Sequence, residues 1–199
     1  MRLWIVGHSI VYWAGVWAKQ SHWGQHLGME EHVCITWFGN RGMHWGDLLP
    51  GLWTLFRRHG VPHGLVIQLG ENDITSSRGI DLKKEMEASL LVLHSTYPDV
   101  TLFWSQLLQR RHWRGARHPG RVELLQRTLD KAIGHLITTW GGIWIKHPDI
   151  TFAARDMYRA DGVHLSEMGN SQWVTGVRSA IGDWVQLQCS GGESSEASL

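Results

Sequence analysis

Residues 3–10, Leu3-Trp4-Ile5-Val6-Gly7-His8-Ser9-Ile10, decide how the rest of the chain is read. Four consecutive apolar side chains leave no polar face, so Leu3 to Val6 suits a short strand buried on both sides. Gly7 stops the run, and the apolar stretch behind Ser9 has helical character. A serine at such a strand-to-helix turn lies at a helix N-terminus. Unpaired N–H groups there face outward and favour developing negative charge.

The same punctuation recurs along the 199 residues. His32 to Phe38 is a second β-branched and aromatic run, ended by Gly39. Gly64 to Leu69 is a third, ended by Gly70; Val100 to Trp104 is a fourth and Gly142 to Ile145 a fifth. Helical spacing fills the intervals. Asp81 to Tyr97, with Asp81 as its cap, aligns Leu82, Met86, Leu90 and Leu93, and Val122 to Trp140 aligns Leu125, Leu129, Ile133 and Leu136. Asp47 to His59 and Ser166 to Leu187 are further helical candidates, the latter interrupted by Gly169, Gly176 and Gly182. Strands alternating with helices predict βαβ units. The fold class is therefore α/β, a three-layer α/β/α sandwich around a flavodoxin-like five-stranded parallel sheet. Ligands in such sheets bind beyond the C-terminal strand ends.

Composition narrows the classes. Lys plus Arg number 19 against 18 Asp plus Glu, which excludes a highly basic nucleic-acid tail and an acidic disordered chain. Two cysteines, Cys34 and Cys189, are too few for a disulfide scaffold or a Cys-based zinc finger. No apolar stretch reaches membrane-spanning length. The run after Arg2 is too short for an export signal, so a cytoplasmic location is expected. Residues 1–188 are read as one domain, and the Ser/Gly/Glu-rich residues 189–199 as a disordered tail.

The residues with chemistry fall just after the strands. Gly7-His8-Ser9 follows the first, Gly39-Asn40-Arg41-Gly42 the second and Gly70-Glu71-Asn72-Asp73 the third. Asp161-Gly162-Val163-His164 precedes the last helix. A carboxylate three residues before a histidine can fix one ring nitrogen and leave the other as a base. A glycine-rich turn offers a free N–H, and Asn72 adds a side-chain amide at the same edge. His8 is read as a packing or hydrogen-bonding residue and Glu71 as a loop cap. The tryptophans are read as core filler in the main.

These four blocks, in this order on this fold, resemble the SGNH (GDSL-type) hydrolases. The resemblance spans Leu3 to about Val185 and implies a serine esterase acting on an ester or thioester of a small to medium acyl group. It implies Ser9 as nucleophile, with Asp161 and His164 completing the triad. The oxyanion hole would consist of Ser9 N–H, Gly42 N–H and the Asn72 side chain, and no cofactor or metal is expected. The first block departs from the family, because the usual Asp before the serine is His8. The phrases GHSIVYWA, LGENDI and DGVHLSEMGN are also similar to SGNH domains of vertebrate genomes, some within LINE-type retrotransposons. That likeness implies RNA or a retrotransposon protein as a partner beside the small-molecule ester.

Other readings are a catalytically silent module of the same fold that binds nucleic acid or protein, and a carbohydrate O-deacetylase. Gln109 to Arg121 holds five arginines with Trp113 and two histidines; Arg110, Arg111 and Arg114 are its candidate substrate- or anion-binding residues. His22, His26, Glu30 and His32 have loosely metal-like spacing, but Gly24 and Gly28 break the helix that would align them.

Overall fold

A computed structural model describes residues 1–113 and 115–192. Five strands form one all-parallel sheet: β1 (Arg2–Gly7), β2 (Cys34–Gly39), β3 (Gly64–Gln68), β4 (Thr101–Ser105) and β5 (Ile143–Ile145). Five helices alternate with them: α1 (Ser9–Gln20), α2 (Leu48–His59), α3 (Gly79–Thr96), α4 (Pro119–Thr139) and α5 (Glu167–Gly192). The strand order is β2-β1-β3-β4-β5. This is the flavodoxin-like order, which places a crevice where the winding reverses, between β1 and β3.

The alternation inside β1 explains the three layers. Trp4 and Val6 pack with α2, α3 and α4 on one face, through Leu52, Phe56, Met86, Leu90, Leu129 and Ile133. Leu3 and Ile5 point the other way, onto α1 and α5, through Val11, Ala14, Trp173 and Val177. A strand covered on both sides needs no polar face, which is why it reads as an unbroken apolar run.

Element boundaries shift where the local pattern was misleading. Asp81 does not cap α3, which starts at Gly79; it lies in the first turn and pairs with Arg78 at 3.3 Å. A carboxylate there still faces the positive end of the helix dipole. α4 begins three residues before Val122, at Pro119, whose fixed φ and missing N–H suit a first helical position. α5 continues to Gly192, past the expected start of the tail, and residues 193–199 lie outside the described residues.

Candidate active site

Ser9, Gly42, Asn72 and His164 all line one cavity of about 830 Å³ at the C-terminal edge of the sheet. Each arrives on a different connection, since β1, β2 and β3 end side by side and the turn before α5 folds over them.

Ser9 is the first residue of α1, so its own N–H has no partner within the helix. His8 is the N-cap: its Nδ1 accepts the Ile10 N–H at 3.2 Å. The ring proton therefore sits on Nε2 and is donated to Glu71 Oε2 at 2.7 Å. His8 and Glu71 are both buried. The other Glu71 oxygen accepts from Gln68 Nε2 at 2.5 Å and from Leu108 N–H at 2.9 Å. Burial alone would raise this carboxyl. Its contacts with His8, the Arg110 guanidinium and the Leu108 N–H outweigh that and hold it at about 2. Glu71 is thus more than a loop cap: it is the charged anchor under the Ser9 turn.

Gly42 has φ +80°, a left-handed conformation that a side chain would strain. Among the described residues its N–H donates to no partner. Asp73 fixes this loop by accepting from His44 Nδ1 at 2.9 Å and from Trp45 N–H at 3.1 Å. Burial pushes Asp73 above the usual carboxylate range, against these two donors. Asn72 is held at both ends of its amide: Nδ2 donates to Met43 O and Oδ1 accepts from Arg110, each at 2.9 Å. One Nδ2 proton remains for the cavity.

Asp161 Oδ2 accepts from His164 Nδ1 at 2.6 Å, and its Oδ1 accepts the N–H groups of Val163 and His164. Burial works to raise Asp161, but these hydrogen bonds hold it at about 2. An ionised Asp161 keeps the proton of His164 on Nδ1 and leaves Nε2 as the basic nitrogen. Among the described residues neither Ser9 Oγ nor His164 Nε2 has a hydrogen-bond partner. Such contacts commonly close only around a substrate.

A second Ser–His pair, Ser105 and His147, lies buried at 2.9 Å. The Ser105 hydroxyl donates to Gln68 Oε1 at 2.5 Å, so His147 Nε2 must be the donor toward Ser105. That polarity is opposite to the one a nucleophile needs. The pair instead continues the network that ends on Glu71.

Of the arginine segment, Arg110 lines the cavity, whereas Arg111 is tied through its backbone N–H to Gly162 O and is not a lining residue. Arg114 lies outside the described residues. Two lining arginines come from elsewhere, Arg41 after β2 and Arg159 before α5. His26 Nδ1 accepts the Ile35 N–H and His22 packs on Trp23. Among the described residues no three His, Cys, Asp or Glu are grouped to hold a metal.

No protein-family model matches the sequence, and no curated protein does either. Solved structures do. The chain is similar to the psychrotrophic esterase EstA of Pseudoalteromonas sp., with TM-score 0.70 and 14% identity over 93% of this chain and 98% of that one. It is similar to a GDSL-like lipase of Bacteroides thetaiotaomicron, with TM-score 0.67 and 15% identity over 94% and 88%. A putative platelet activating factor structure from Streptococcus pneumonia gives TM-score 0.66 at 19% identity over 92% and 83%. The fold is the α/β/α sandwich of the GDSL-type (SGNH) esterases and lipases.

Proposed function

We propose that this chain is a serine esterase in which Ser9 is the nucleophile, His164 the base and Asp161 its orienting carboxylate. The observation that carries the reading is one cavity lined by Ser9 and His164, with Asp161 fixed behind the histidine. Three residues lining that cavity can supply donors, through the Ser9 N–H, the Gly42 N–H and the remaining Asn72 Nδ2 proton.

A free serine hydroxyl is a weak nucleophile and needs a base within reach. His164 Nε2 takes the Oγ proton as Oγ attacks the ester carbonyl carbon. The carbonyl π electrons move onto oxygen, and the three donors stabilise that oxyanion. Collapse breaks the bond to the alcohol oxygen, which leaves with the proton from His164. Water then attacks the acyl-serine by the same route in reverse roles, releasing the acid and restoring Ser9.

The ester hydrolases among the structural neighbours support this class of reaction, and a structure of EstA is described as inhibited by monoethylphosphonate. A fluorophosphonate probe followed by peptide mass spectrometry should label Ser9, and Ser9→Ala should lose both label and hydrolysis of p-nitrophenyl acetate. Salt-sensitive RNA binding without any labelling of Ser9 would instead make the chain an interaction module.

A further inference from the structure

Three arginines enclose the proposed site, and each is stacked on an aromatic residue of the same cavity. Arg41 Cζ lies 5.3 Å from the Tyr12 ring centre, Arg159 Cζ 4.3 Å from Trp13 and Arg110 Cζ 5.3 Å from Trp113. All six residues line the cavity with Ser9 and His164. The arginines come from three separate connections: Arg41 beside Gly42, Arg110 against Asn72, and Arg159 with its backbone N–H on His164 O. They therefore approach the nucleophile from the sides of the two loop donors and of the base.

Among the described residues that line this cavity none is Asp or Glu. Among the described residues neither Arg41 nor Arg159 forms an ion pair with a carboxylate, although the chain as a whole is near neutral at +1. Three of the 19 Lys and Arg thus converge on one cavity, and a concave wall focuses their field. Stacking on a ring face orients a guanidinium while leaving in-plane N–H groups for a bidentate anion, and Arg159, whose Nε donates to Leu165 O at 3.1 Å, keeps those of its two terminal nitrogens. A cavity of about 830 Å³ also exceeds what a bare acetyl group needs.

Resting on the serine-esterase reading, we infer that the cavity selects an ester that carries an anionic group, a carboxylate or a phosphate, close to the scissile bond. Arg41 and Arg159 are its specificity-determining residues. Arg110 is divided between this field, the Asn72 amide and the Glu71 charge.

Matched substrates test it. Mono-p-nitrophenyl glutarate places a carboxylate on the acyl side, and its methyl ester is the uncharged counterpart. An acetyl ester of glycerol 3-phosphate places a phosphate on the alcohol side, with acetyl glycerol as counterpart. At least one charged ester should exceed its counterpart by about tenfold in kcat/KM at low salt, an advantage that shrinks in high salt. The pair that shows it identifies the anion and its side. The double substitution Arg41→Gln/Arg159→Gln should bring that ratio close to one, while Arg41→Lys/Arg159→Lys should retain part of it. Should the glutamine variant fail to fold, inhibition of the unaltered protein by free glutarate or phosphate, competitive and relieved by salt, gives the same reading. Equal kcat/KM for both pairs, with Ser9 still labelled, overturns the inference and leaves the esterase standing. Failure of Ser9 to react with the probe or any ester removes the esterase, and this inference with it.

Discussion

At the residue scale, the departure at position 8 has a physical cause 63 residues away in sequence. His8 faces Glu71, and both are buried. An aspartate at position 8 would set two carboxylates together out of water, where one would have to be protonated. A histidine with Nδ1 on the Ile10 N–H and Nε2–H on Glu71 satisfies both neighbours. His8→Ala should therefore cost stability rather than chemistry, about 1–3 kcal/mol for the donor Glu71 loses. His8→Asp should be worse than alanine, and Glu71→Gln in the same chain should recover much of the difference. Urea unfolding of the unaltered protein, His8→Asp, Glu71→Gln and their combination as a double-mutant cycle checks it; additive losses would deny the coupling. Catalytic losses should follow another order. His164→Ala should remove nearly all turnover, and Asn72→Ala should cost about 10²–10³ in kcat. That Ser9, Asn72 and His164 would meet at one sheet edge, with Asp161 on His164, was legible in sequence because each lies in a short block beside a strand end or helix start. The Glu71–His8 contact was not, because nothing local says which distant turn a buried carboxylate meets.

At the scale of elements, the sheet was legible because each buried strand is an apolar run stopped at a polar or glycine residue. Helix boundaries were less so. Gly169, Gly176 and Gly182 suggest interruption of α5, yet Gly169 would place a Cβ 2.1 Å from Met157 O and Gly176 one 3.0 Å from His147 Nδ1. Gly169 and Gly176 mark close packing of an unbroken helix, a property of its neighbours and not of its own pattern, whereas Gly182 faces open space. Loops show the same limit: Arg41 and Arg159 meet Ser9 only through the fold, while the arginine-rich segment contributes Arg110 alone among its described arginines. Asp73 ties the loops after β2 and β3 beside the Asn72 bond to Met43 O, since His44 and Trp45 hang on its two oxygens. Asp73→Ala should let the Gly42 turn drift from Asn72. A displacement of about 1 Å costs on the order of 10²-fold, so kcat should fall that far with KM little changed. Steady-state kinetics on the folded variant decides; a rise in KM at constant kcat would place Asp73 in binding instead.

At the scale of the whole molecule, buried ionisable groups around the sheet set how stability responds to acid, with opposing signs; His147, Asp130 and Glu71 carry the large shifts, and Asp73 is raised in the same sense as Asp130. Burial, against the nearby Glu71 charge, lowers His147 to about 4 from its ordinary 6.5. Between those values only the unfolded chain binds the proton, so stability falls as pH falls. Asp130 accepts from Trp104 Nε1 and Leu107 N–H, both at 2.9 Å, yet burial raises it to about 6 from 3.8. Between those values the folded chain binds the proton, and stability rises as pH falls. Glu71, at about 2 against 4.5 when unfolded, joins His147 in destabilising the fold only below about pH 4.5. The two buried groups thus nearly cancel from pH 6 to 4.5, and acid sensitivity should appear abruptly beneath that window. Asp130→Asn keeps an oxygen for both donors and removes the compensation. Its unfolding free energy should then drop by about 1 kcal/mol for each pH unit across the window. His147→Asn should do the reverse, gaining stability as pH falls from 6 to 4.5, because Asp130 is then unopposed. Urea unfolding at pH 6, 5.25 and 4.5 separates these outcomes. If both variants keep the slope of the unaltered protein, neither group is the proton site that buffers this fold against acid.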